Sequence, residues 1–334
     1  MWEHCLQDIR SDSNMKLVIF VILLFSFISS GLAQNSSDTD LTRVDADPAK
    51  GFSFAYYLYI PKELKIQSEK EKLRSFLVIP NNSGQINDDI SFHEADVKRK
   101  MSQIGSYMIG SGISAPILMP VFPRPATEHT IYTHSLDRDT MLTDKKQFSR
   151  FDLQLIAMIK DARLRMLNEG IKTEEKVILQ GYSASGMFVN RFVFIHPKVV
   201  KAAVIGAPGG WAMAPVDRFN GRELTYPVGT SDMKKVSGRK FDLKSVRKVP
   251  LYMILGGSDT NDAVPMGDAY DKRETDLVME LFGKTPVERF PYSERLYKEA
   301  GLNAEFKLYP NTPHQMSAEM RADQLTFLKK YALK

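Results

Sequence analysis

The chain has 334 residues, 43% hydrophobic and 25% charged, with a single cysteine. That balance excludes a disordered chain and a disulfide-stapled mini-protein, and the length allows one large α/β domain or two small ones. The net charge of +5 is scattered rather than clustered, and no nucleic-acid motif appears. It reads as a solvated surface, with attraction to anionic extracellular material as the alternative.

Residues 1–33 read as a targeting segment. Lys16 supplies the positive start, residues 17–28 form an apolar run, and Gly31-Leu32-Ala33 suits a small-residue cleavage site. The run is shorter than the roughly 20 residues of a comfortable membrane span. Cleavage is therefore expected, with a secreted or periplasmic product and no stable membrane insertion afterwards; an uncleaved anchor is the alternative. Met15 is an alternative start, since residues 1–14 add nothing to the signal. Cys5 lies upstream of the expected cut, which leaves the mature chain without a thiol, a disulfide or a Cys-based metal site. Its charge would be about +6.

Residues 34–49 are polar and are expected to form a flexible N-terminus. Residues 50–334 show no linker and read as one domain. Candidate strands are 53–60, 75–79, 115–121, 176–180, 201–206, 250–255 and 304–309; several are short apolar runs, as expected for strands buried on both faces. Pro80, Gly181, Gly206 and Gly256 punctuate their ends. Helical spacing predicts helices over 91–108, 148–168, 184–195 and 316–331, with Gly170 suited to a helix C-terminus. The alternation implies an α/β fold: a mostly parallel central sheet flanked by helices, with the site at the carboxyl ends of the strands.

The chemistry starts at residues 176–186. A strand runs into Gly181-Tyr182-Ser183-Ala184-Ser185-Gly186, and an apolar helix follows. A serine on a strained strand-to-helix turn needs small neighbours, here Gly181 and Ser185. Ser185 is the competing nucleophile, but its own neighbour Met187 is bulky. The helix start offers the Ala184 N–H as an oxyanion donor. The bland alternative is a strand–helix turn with no chemistry.

This stretch resembles the nucleophile turn of secreted esterases of the polyhydroxybutyrate-depolymerase and feruloyl-esterase type, within the α/β-hydrolase superfamily. The resemblance covers roughly residues 70–330 in architecture and is specific only in short motifs. It implies the chain order nucleophile, acid, histidine. The acid then falls in Gly256-Gly257-Ser258-Asp259-Thr260-Asn261-Asp262, with Asp259 as first choice and Asp262 as alternative. At least one of them is expected to cap the next helix. Of six histidines, only His314 follows the last strand. His93, His129 and His134 precede the serine, and His196 reads as a helix end. The implied enzyme is a serine hydrolase acting on a small-molecule or polymeric ester, with Ser183, Asp259 and His314 as its triad.

Around the site, the N–H of Asn81 or Asn82 is the expected second oxyanion donor, although Pro80-Asn81-Asn82-Ser83-Gly84 departs from the His-Gly-Gly pattern of many esterases. Tyr182, Phe122, His134 and Trp211 are candidate substrate contacts, and Arg124 or Arg138 a candidate carboxylate anchor. Residues 207–249 are long for a connection and suit a cap insertion. His93, Glu94 and Asp96 have a faint metal-ligand look but fall on a helix, so neither metal nor cofactor is expected. Asn35 and Asn81 begin glycosylation sequons. A serine peptidase or amidase on the same scaffold, and a non-enzymatic binding protein, are the competing readings.

Overall fold

The structure, a computed structural model, describes residues 40–66, 72–82 and 84–333. The expected signal segment, Cys5, Met15, the Asn35 sequon and residues 34–39 lie outside them. Eight strands form the main sheet: β1 (Leu41–Val44), β2 (Tyr56–Tyr59), β3 (Arg74–Val78), β4 (Ile117–Pro120), β5 (Thr173–Tyr182), β6 (Val200–Gly206), β9 (Leu251–Gly256) and β10 (Ala304–Tyr309), with a separate hairpin of β7 (Arg218–Phe219) and β8 (Arg222–Glu223). The order is β1-β2-β4-β3-β5-β6-β9-β10. β1 and β2 run antiparallel, and the other six are parallel.

The expected flexible N-terminus is corrected over residues 40–49. β1 pairs with β2 from Leu41↔Tyr59 to Val44↔Tyr56, and Pro48–Lys50 makes a 3-10 turn capped by Asp47. The polar composition that suggested a tail belongs to an edge strand, which needs few apolar residues because one flank faces solvent.

The helices are α1 (Ile90–Gly110), α2 (Arg138–Leu142), α3 (Phe151–Asn168), α4 (Ala184–Ile195), α5 (Met233–Ser237), α6 (Leu243–Val246), α7 (Lys272–Leu281), α8 (Pro286–Glu299) and α9 (Ala318–Ala332). None of the described helices is long and apolar enough to cross a membrane. Strand alternation sorts the core into two layers. Phe76, Val78, Leu179 and Ile205 face Leu155, Phe188 and Phe192 of α3 and α4. Leu77, Ile178, Val204 and Ile254 face Val97, Met101 and Leu328 of α1 and α9. Each such side chain removed from water contributes about 1.5–3 kcal/mol, so both faces demand a helical cover.

The parallel strands finish on one edge. Tyr182 pairs with Gly206, Gly206 with Ile254 and Gly256 with Tyr309. Loops leaving that edge build a third apolar cluster of Tyr132, Ala184, Met187, Trp211, Val228, Val264 and Phe282. Residues 207–249 therefore do not stand over the site by themselves. They share their buried face with the α7–α8 region, which the helical patterns above do not include.

Candidate active site

β5 delivers Ser183 to the carboxyl edge with φ 60° and ψ −128°. For a residue with a Cβ this conformation costs about 1–3 kcal/mol and persists only where the surroundings enforce it. Here they do. A Cβ on Gly181 would stand 2.2 Å from the Ser185 carbonyl oxygen, and one on Gly186 2.3 Å from that of Gly206. Gly186 is therefore a further position of close approach besides the expected Gly181 and Ser185. The Ser185 hydroxyl accepts from the Tyr182 N–H at 3.0 Å and donates to the Tyr182 carbonyl at 2.9 Å, so it closes the turn and is not free to attack.

The loops after β9 and β10 meet beside this turn. The Gly257 N–H donates to the Tyr309 carbonyl at 2.7 Å, and the Ser258 N–H to that of Thr312 at 3.0 Å. Asp259 is 2% exposed. One of its oxygens lies 2.8 Å from His314 Nδ1, and the other accepts from the Asn261 N–H at 2.9 Å. A carboxylate held this way fixes the Nδ1–H tautomer and leaves Nε2 as an acceptor. The imidazole packs against the Tyr182 ring, centroids 5.2 Å apart, so it lies beside the residue that precedes Ser183. The link from His314 to the Ser183 hydroxyl is not closed: that hydroxyl has no hydrogen-bond partner within the described residues.

Asp262, the alternative acid, is corrected. Its Oδ1 accepts from the Val264 N–H at 3.1 Å and from Arg289 Nη1 at 2.8 Å. Arg289 is 1% exposed and also donates to the carbonyls of Gly283 and Lys284. Asp262 therefore neutralises a buried guanidinium and ties the acid loop to α8. No local signal reveals this pair, whose members are 27 residues apart.

Asn81 and Asn82 are the residues expected to supply the second oxyanion donor. The Asn82 amide reaches the Tyr182 carbonyl at 3.4 Å. The N–H groups of Ala184, Asn81 and Asn82 donate to no acceptor within the described residues. The Asn81 side chain is fully buried, accepting from the Phe122 N–H at 3.0 Å and donating to the Phe122 carbonyl at 2.9 Å. That engagement also removes it as a glycan acceptor in the folded chain.

Three of the expected substrate contacts, Phe122, Trp211 and His134, are corrected by burial. Phe122 is fully buried between Phe151 and Phe188. Trp211 is 2% exposed, stacks on Phe282 at 4.0 Å and donates to the Val228 carbonyl. His134 is fully buried, and Nε2 lies 2.6 Å from the Phe122 carbonyl, so it carries the proton. Burial lowers its pKa to about 3 and keeps it neutral. The Tyr182 hydroxyl is buried without a partner, and burial together with the Asp259 charge raises its pKa. Tyr182 is half-buried and its ring lies against the imidazole.

Arg124 pairs with Asp268 at 2.6 Å and Arg138 with Asp232 at 2.6 Å, so neither is free for a substrate carboxylate. His93, Glu94 and Asp96 go to separate partners: the Arg124 N–H, Arg43 with Tyr57, and Lys100 with Arg99. Among the described residues no group of three or more His, Cys, Asp or Glu is placed to hold a metal. A cleft of about 1000 Å³, lined by Phe54, Pro123, Lys146 and Phe148 among others, holds none of Ser183, Asp259 and His314.

No protein-family model matches the sequence, and no curated protein matches it either. Solved structures do resemble the fold. A poly(aspartic acid) hydrolase from Sphingomonas sp. KT-1 superposes with a TM-score of 0.55 at 19% identity, over 88% of this chain and 98% of that one. A poly(3-hydroxybutyrate) depolymerase from Bordetella parapertussis superposes with a TM-score of 0.52 at 15% identity, over 88% and 91%. With its parallel sheet, its flanking helices and these neighbours, the chain has the α/β-hydrolase fold.

Proposed function

We propose that the protein is a serine hydrolase that cleaves carboxylic esters through an acyl-enzyme. The observation that carries this reading is the Asp259–His314 pair at 2.8 Å on the same sheet edge as the strained Ser183 turn. In the reaction, His314 Nε2 takes the Ser183 proton as Oγ attacks the ester carbonyl. Asp259 holds the ring and offsets the charge it gains. The tetrahedral oxyanion is received by the Ala184 N–H and by that of Asn82, whose residue is half-buried, whereas Asn81 is fully enclosed. Collapse expels the alcohol, protonated by His314, and leaves an acyl group on Ser183. Water then attacks with His314 again as base, releasing the acid and restoring the serine.

The imidazole packs against the ring of Tyr182, the residue before Ser183, and the reading requires Nε2 to reach the hydroxyl when substrate binds. Such bonds are often long without substrate and tighten in the complex. The reading includes export, resting on the signal-like pattern of residues 1–33. The test is labelling by a fluorophosphonate probe and turnover of p-nitrophenyl esters, with poly(3-hydroxybutyrate) and poly(aspartic acid) as polymeric substrates. Ser183→Ala is expected to abolish both labelling and turnover while keeping the thermal transition. Retention of either activity by that variant rules the assignment out.

A further inference from the structure

The loop that offers the second oxyanion donor is tethered from below by a cation that no local motif announces. Lys100 lies on α1, one turn after Asp96. Its ammonium donates to the Asn82 carbonyl and is paired with Asp96 at 2.7 Å. The Lys100 side chain is 28% exposed and that of Asp96 13%, and the Asp96 Oδ2 that faces the ammonium makes no hydrogen bond, so the contact is an ion pair in a partly shielded setting. On the other side of the same loop, Asn81 grips both polar groups of the Phe122 peptide. The Asn82 amide spans to the Tyr182 carbonyl, and its Oδ1 accepts from the Gly84 N–H at 3.0 Å.

The consequence is a loop whose Asn82 carbonyl and Asn81 and Asn82 side chains are committed while, among the described residues, the N–H groups of Asn81 and Asn82 have no acceptor. A donor aimed in advance at developing negative charge stabilises the transition state without reorganising when the charge appears. The glycine-rich loops that do this elsewhere rely on backbone shape. Here Pro80-Asn81-Asn82 lacks those glycines, and side chains supply the constraint.

We propose that Lys100, held by Asp96, is a positioning residue for the oxyanion: by anchoring the Asn82 carbonyl it restrains the backbone on one side of Asn82, while the Asn81 side chain restrains it on the other, and so limits the directions open to the Asn82 N–H. The proposal rests on the serine-hydrolase reading above. Lys100 touches neither substrate nor the reacting atoms. Its effect is therefore on the transition state and not on substrate binding, which separates it from a merely structural lysine.

The experiment compares wild type, Lys100→Met, Lys100→Arg and Ser183→Ala for kcat and KM on a p-nitrophenyl ester, thermal midpoint, and the inhibition constant of an alkyl boronic acid, which binds the serine as a tetrahedral anion. Lys100→Met is expected to lower kcat about tenfold, with KM changed less than about twofold. Boronate affinity falls by a similar factor, the midpoint stays near wild type, and Lys100→Arg recovers most of the loss. Wild-type kcat and boronate affinity in Lys100→Met overturn the proposal. So does a kcat loss accompanied by a lowered midpoint and an equal rise in KM, because that pattern marks a collapsed loop. An active Ser183→Ala would instead overturn the hydrolase reading, and this proposal with it.

Discussion

His314 Nδ1 and Asp259 Oδ2 lie 2.8 Å apart, with the carboxylate 2% exposed and its second oxygen on the Asn261 N–H. The pair is directional: the imidazole donates and the carboxylate only accepts. Asp259→Asn replaces an acceptor by a group that can present N–H, which favours the wrong tautomer. On the proposed mechanism kcat then drops about 10³–10⁴-fold with little change in the thermal midpoint. Steady-state kinetics on a p-nitrophenyl ester decide this. A loss under tenfold means that Asp259 does not orient the base.

Asp262 gives the opposite pattern. Removing its carboxylate leaves Arg289 buried and short of its only anionic partner among the described contacts. Breaking one side of a buried pair costs about 3–5 kcal/mol. The carbonyls that Arg289 also reaches place Asp262→Ala at the lower end of that range. Urea titration is expected to show a large loss of stability, while the surviving folded enzyme keeps a kcat within about tenfold of wild type. Unchanged stability would remove the structural role assigned to Asp262.

Gly186→Ala tests the geometry of the turn. The added Cβ would stand 2.3 Å from the Gly206 backbone carbonyl, a rigid neighbour in the middle of the sheet. Overpacking against backbone costs about 1–3 kcal/mol or more, and the shift it forces is transmitted to Ser183. Reduced soluble yield, a lowered thermal midpoint and a kcat loss in the folded fraction are expected together. A variant as stable and active as wild type contradicts the close approach.

His134 predicts an acid sensitivity. Its pKa falls from the ordinary 6.5 to about 3 because burial disfavours the charged ring. Between those values the unfolded chain binds a proton that the folded chain does not. Stability therefore falls as the pH is lowered from about 6.5 towards 3, and it is fully present above 6.5. His134→Gln retains an N–H for the Phe122 carbonyl and cannot titrate. Denaturant curves at pH 7 and pH 4 are expected to show a smaller loss for the variant, by about 3 kcal/mol. Equal losses would mean that His134 is not held neutral.

The sequence by itself determined the elements that depend on short-range order. Most of the parallel strands were legible as apolar runs, because a strand covered on both faces must be apolar throughout; β10, at the sheet edge, carries Glu305 and Lys307 and is largely half-buried or exposed. Helix 184–195 matches α4 residue for residue, since an all-apolar helix ending before Pro197 has few other readings. The strand–Ser183–helix turn follows from local sterics. Helix 148–168 begins three residues late, at Phe151, because Arg150 takes φ 54° and pairs with Asp152. β1 escaped notice because an edge strand can be polar and still pair.

Only the tertiary structure decided which aspartate meets His314 and which meets Arg289. Both lie in one short loop, and their partners come from distant segments that only the packing of β9, β10 and α8 places. The same holds for Phe122, His134 and Trp211, whose chemistry suits a pocket but whose side chains are enclosed. It holds for Lys100 too, since a lysine on a polar helix face looks alike in sequence whether it meets water or a backbone carbonyl. Local pattern encodes backbone shape and burial on average. The partner of a given polar group is fixed only when long-range packing removes its water, because an unpaired buried group is too costly to keep.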